Sequence, residues 1–190
     1  MGKINQKIKS DPKLFNELIS DKKLINNDKI ELDYKINNNY WLIGSSEVIH
    51  EKLIDKELNI IIEQSKRESK YGIKLRCEKF TNEPFFRFDS DGPSHRNNFP
   101  HIPLEEQTIT TPHFNTFDNN GKPYAYKNET LKKENEVKEI VQDINFGLSL
   151  FCMETNSMLS NGNFPLVYEK ICELDFEDIN LINYDNINFE

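Results

Sequence analysis

Three of the four histidines, His95, His101 and His113, fall within nineteen consecutive residues. They lie beside two arginines and two aspartates in the stretch Arg87-Phe88-Asp89-Ser90-Asp91-Gly92-Pro93-Ser94-His95-Arg96-Asn97, followed by Thr111-Pro112-His113-Phe114-Asn115. Imidazole titrates near neutrality, so two histidines can divide the work of taking and giving a proton. Cleavage of RNA through its 2′-hydroxyl needs such a pair, with an arginine to hold the scissile phosphate bidentately. His95 and His113 are the acid–base candidates. Arg87 and Asp89 complete the candidate catalytic set, and Arg96 and Asn97 are the candidate substrate-binding residues.

The same residues admit two other readings. Asp89 and Asp91 next to histidines could form a mixed carboxylate–imidazole metal site. Their spacing matches no ligand signature, and both aspartates also suit the turn before Gly92-Pro93, so no metal ligands are assigned and no cofactor is identified. The structural reading has Asp89 paired with Arg96 and His113 packed under a pinned, proline-rich loop, a buried polar network without catalysis.

The pattern Arg-Phe-Asp-x-x-Gly-Pro-x-His-x-Asn followed by Thr-Pro-His resembles a group of small, mostly uncharacterised bacterial and phage-associated proteins and, more distantly, the toxin partners of some toxin–antitoxin pairs. The resemblance covers about residues 84–126. It singles out Arg87, Asp89, His95, Asn97 and His113, and implies a ribonuclease of a mobile genetic element. The chain departs from the pattern at Asn115, where a second histidine is usual.

Composition narrows the alternatives. The net charge is −8, of which Glu173, Asp175, Glu177, Asp178, Asp185 and Glu190 supply −6. Neither part of the chain is a basic nucleic-acid platform. The acidic segment suggests a second class of function, a phage or plasmid inhibitor that binds a host defence protein, such as a CRISPR effector, through an acidic surface. An antitoxin or a defence protein is therefore the expected protein partner, with RNA as the candidate substrate. Cys77, Cys152 and Cys172 form no C-x-x-C pair, against a zinc knuckle or a disulfide framework. The opening residues lack the apolar core of a signal peptide and no apolar run approaches a membrane span, so a cytoplasmic protein with no membrane partner is expected.

The elements that must position these residues follow from periodicity. Ser10-Asp11-Pro12 starts a short amphipathic helix over 11–20. Alternating residues predict strands over 28–36 and 71–80; Asn37-Asn38-Asn39 turns the first into a second strand over 40–43, and the β-branched run 58–62 is a further strand, whereas 47–56 is ambiguous. Phe85 to Phe88 is a further strand. Residues 90–110 hold three prolines and read as a long loop. Residues 111–118 and 122–127 form a hairpin around Asp118-Asn119-Asn120-Gly121. Val137, Ile140, Val141, Ile144 and Leu148 then form one apolar stripe over roughly 130–152. Trp41 reads as a core residue of the first hairpin. The expected fold is α+β: a curved, mainly antiparallel sheet with one long helix packed on it and a short N-terminal helix. Residues 1–172 are expected to form one domain, followed by the acidic segment 173–190.

Overall fold

A computed structural model of the protein describes residues 3–53, 55, 57–100 and 102–170. His101 and the acidic segment 173–190 lie outside the described residues. Among the described residues, ten strands form one strongly curled, mainly antiparallel sheet, with helices on its apolar face. The strands are β1 (Lys23–Ile25), β2 (Lys29–Lys35), β3 (Asn38–His50), β4 (Leu58–Ser65), β5 (Tyr71–Cys77), β6 (Phe86–Asp89), β9 (His113–Phe117), β10 (Pro123–Tyr126), β11 (Ser157–Met158) and β12 (Leu166–Glu169). Their order is β10-β9-β6-β5-β4-β3-β1-β11, with β2 pairing β3 and β12. Only β1–β11 and β2–β12 pair in parallel among the described strands. Strands β7 (His95–Arg96) and β8 (Thr108–Ile109) form a separate ribbon.

Period-two alternation divides the sheet. Tyr71, Ile73, Leu75 and Cys77 of β5 are buried, and Gly72, Lys74 and Arg76 between them face the other way. The apolar face gathers the aromatics: Phe86, Phe88, Phe114 and Phe151 meet with ring centroids 5.2–5.6 Å apart. Each such ring buries a large apolar area, which lets a chain of modest hydrophobic content form a core. The helix over 11–20 is α2 (Pro12–Ser20), N-capped by Asp11, whose carboxylate accepts from the Leu14 amide; a short α1 (Gln6–Ser10) precedes it.

The helical stretch expected over 130–152 consists of α3 (Glu134–Gln142) and α4 (Ile144–Glu154), which meet at Asp143. Asp143 closes α3 and caps α4, its side chain accepting from the Asn145 amide at 2.8 Å. Helix α4 comes so close to β5 that a Cβ on Gly147 would run into the Tyr71 hydroxyl and ring. Glycine is required at that contact.

Candidate functional site

The polar face of the sheet places the chemistry-bearing residues in two registered rows. One runs Glu63–Gly72–Asp89–His113 across β4, β5, β6 and β9. The next runs Ile61–Lys74–Arg87–Asn115 across the same strands. Directly paired residues share a face of the sheet, so Arg87, Asp89, His113 and Asn115 stand together although β9 begins 24 residues after β6 ends, a gap read from Asp89 and His113. These rows, Ile61 excepted, floor a cleft of about 410 Å³, walled by Trp41 and Lys70 on one side and by Asp91, Ser94 and His95 on the other.

Asp89 is the hub. Its Oδ2 accepts from Arg87 Nε and Nη2 at 3.0 and 2.9 Å and from Asn115 Nδ2 at 2.7 Å. His113 Nε2 lies 3.7 Å from the same oxygen. The pairing of Asp89 with Arg96 is corrected: Arg87, two residues away on the same face of β6, is the partner. His95 and His113 approach with ring centroids 6.5 Å apart, nearly edge to face at 72°.

The loop is anchored at both ends. Ser90 receives the Tyr71 amide on its Oγ at 2.8 Å and donates its own amide to the Tyr71 carbonyl at 3.0 Å. Thr111 Oγ1 donates to Asp91 Oδ1 at 3.3 Å. The Thr111–Pro112 peptide that leads into His113 is cis.

Both histidines are held below the ordinary imidazole pKa. For His95 the causes are burial and then the Arg87 cation, with Asp89 pulling the other way. His113 is 2 % exposed. Burial lowers its pKa, opposed by Asp89 and by the Thr110 carbonyl. His113 Nδ1 is enclosed without a hydrogen-bond partner. Nε2 is thus the nitrogen turned toward Asp89, and with it toward the cleft. Burial pushes Glu63 up, but Lys74 at 2.5 Å and Lys35 at 3.0 Å together hold its carboxyl below the usual range.

Four of the six candidate residues, His95, His113, Arg87 and Asp89, line this cleft. The other two do not. Asn97 is buried, its Nδ2 donating to the Ala125 carbonyl and its Oδ1 accepting from the Ala125 amide, both at 2.8 Å. Its amide is occupied in fixing the loop to β10. Arg96 lines a neighbouring hollow with Asn98, Leu104 and Lys122. Trp41, expected in the core, is half-buried on the cleft wall, with Lys70 Nζ 5.6 Å from its ring centroid.

Gly72, Glu63 and Lys74 are cleft residues that the sequence did not mark, because the register of β4 and β5 brings them in. Among the described residues no three His, Cys, Asp or Glu side chains converge as a metal-binding group. The fourth histidine, His50, is structural: Nε2 donates to the Glu17 carbonyl at 3.0 Å, and Nδ1 accepts the Lys52 and Leu53 amides at 3.2 and 3.1 Å.

Comparison with protein-family models, curated proteins and solved structures gave no match. No helix among the described residues is long and apolar enough to cross a membrane.

Proposed function

We infer that the protein is a toxin-like ribonuclease of a mobile genetic element, with His95 and His113 as its proton-transfer pair. One observation carries the reading: two histidines with rings 6.5 Å apart share a cleft with a carboxylate that Arg87 and Asn115 hold in place. His95, whose neutral form burial and Arg87 both favour, takes the proton of the RNA 2′-hydroxyl. The 2′-oxygen attacks phosphorus and the bond to the 5′-oxygen breaks. His113, whose cation Asp89 supports, gives its proton to that leaving oxygen. The products are a 2′,3′-cyclic phosphate and a free 5′-hydroxyl, and proton exchange with water resets the imidazoles. Arg87 places its positive charge beside the phosphate oxygens.

A labelled single-stranded RNA incubated with purified protein tests this. The expected result is a cyclic-phosphate product, formed about 100-fold or more slowly by His95→Ala and by His113→Ala, the scale of a lost general acid or base. RNA left intact by the wild type, or cut equally by the variants, overturns the reading.

A second reading, an inhibitor that binds a host defence protein, draws on the net charge of −8 and on the pairing of cleft cations with carboxylates, Lys74 with Glu63 and Arg87 with Asp89. Capture of a defence protein by a chain that leaves RNA intact would favour it.

A further inference from the structure

Gly72 has no evident structural reason to be glycine. It sits inside β5, a central strand, where glycine weakens the pairing and often marks the close approach of a ligand. Its backbone is not in the left-handed region, and a Cβ there would meet the Phe88 carbonyl at 3.5 Å and Asp89 Oδ1 at 3.6 Å, ordinary contact distances. The fold would accept a side chain. What a side chain would occupy is the cleft floor between Glu63 and Asp89, its neighbours in register. Trp41 stands on the wall of the same cleft, half-buried, with one ring face near the Lys70 ammonium. A bare floor and an aromatic wall that faces the two histidines across the cleft form a slot for a flat ring.

We propose that this end of the cleft is a nucleobase subsite, in which a base of single-stranded RNA stacks on Trp41 above Gly72 and so sets its phosphate before His95 and His113. Stacking on an aromatic side chain binds any base by its π-face, and Lys70, Lys74 and Arg87 of the same cleft lie beside the path of the phosphate. The subsite rests on the ribonuclease reading.

Trp41 is the sole tryptophan, so its emission reports on this subsite alone. The full chain is titrated with 3′-AMP, and with ribose 5-phosphate and inorganic phosphate as base-free probes. Saturable quenching by 3′-AMP is expected, with binding about tenfold tighter than that of ribose 5-phosphate, the lower part of the range for one stacked base. Gly72→Val should remove that advantage. Trp41→Leu, read by calorimetry, should do the same, and Gly72→Ala, which adds one methyl group, should reduce it. Equal binding of 3′-AMP and ribose 5-phosphate, or an advantage untouched by Gly72→Val and Trp41→Leu, overturns the subsite. The two readings fail separately. Cleavage that depends on His95 and His113 without base-dependent binding removes the subsite alone. Base-dependent binding without cleavage keeps the subsite and removes the ribonuclease.

Discussion

Asp89 does at the residue scale what no single histidine could: it gathers Arg87, Asn115 and His113 around one oxygen. Its charge offsets the burial that lowers both imidazoles. Proton transfer in both directions needs one histidine neutral and one protonated, a state most populated between the two macroscopic pKa values. Both groups are held below 6.5, so that state peaks on the acid side. The rate of RNA cleavage should therefore be highest below pH 6.5 and fall as pH rises toward 8. A rate that climbs through pH 8 would contradict the assignment. Asp89→Asn removes the one nearby charge that raises both pKa values, so the maximum should move further to acid. It also replaces charge-assisted hydrogen bonds and should cost about 1.5–3 kcal/mol in chemical denaturation. Asn115 holds the carboxylate from β9 as a neutral donor, at the position where the resembled pattern carries histidine.

At the scale of elements, the site depends on a loop that carries more order than its composition suggests. Residues 90–110 contain the β7–β8 ribbon and a 3₁₀ turn over Leu104–Gln107, and Gln107 Nε2 donates to the Phe99 and Ile102 carbonyls at 3.0 and 2.7 Å. Asn97 ties this unit to β10. Asn97→Ala should cost about 2 kcal/mol in urea unfolding, two backbone hydrogen bonds at about 1 kcal/mol each. It should also slow RNA cleavage by letting His95, two residues away, drift from His113. A variant with wild-type stability and rate would show that the tie is dispensable.

Much of this architecture was legible in the chain. Alternation marked β2 and β5, a β-branched run marked β4, the Asp118–Gly121 turn marked the β9–β10 hairpin, and Asp11-Pro12 marked α2. Two features were not legible for local reasons. The apolar stripe through Ile140 and Ile144 continues across Asp143, so periodicity hides the break that the Asp143 cap makes. Residues 38–50 form one long strand whose alternation is masked by Gly44, Ser46 and His50 at buried positions and by Ile43 and Ile49 on the opposite face. The site was legible as a sequence neighbourhood, but Trp41, Gly72 and the Arg87–Asp89 pairing depend on which strands lie side by side. That register is a property of the whole sheet.

At the scale of the molecule, one buried cation lies far from the cleft chemistry. Lys23 is 0 % exposed, its Nζ donating to the Ile19 and Asp21 carbonyls at 2.8 and 2.5 Å past the end of α2. Burial brings its pKa down to about 7, with Asp21 opposing. Below pH 7 both folded and unfolded chains hold this proton and the cost of burying the charge is fully felt. Between pH 7 and the unfolded value near 10.5 the unfolded chain binds more protons, so stability rises with pH. From pH 7 to 9 the gain from Lys23 should be about 2–3 kcal/mol. Lys23→Met should flatten that slope in denaturant titrations, whatever its effect at neutral pH, and an unchanged slope would place the titration elsewhere.

The central proposal is acid–base cleavage of RNA by His95 and His113. The most direct measurement compares a ribo-oligonucleotide with one carrying a 2′-deoxy residue at the cleaved position, each treated with wild type, His95→Ala and His113→Ala. The expected result is cleavage of the all-ribo strand by the wild type, protection by the 2′-deoxy residue, and a loss of about 100-fold or more in each variant. Cleavage of the 2′-deoxy strand at the same position, equal rates in the variants, or no cleavage of either strand would contradict it.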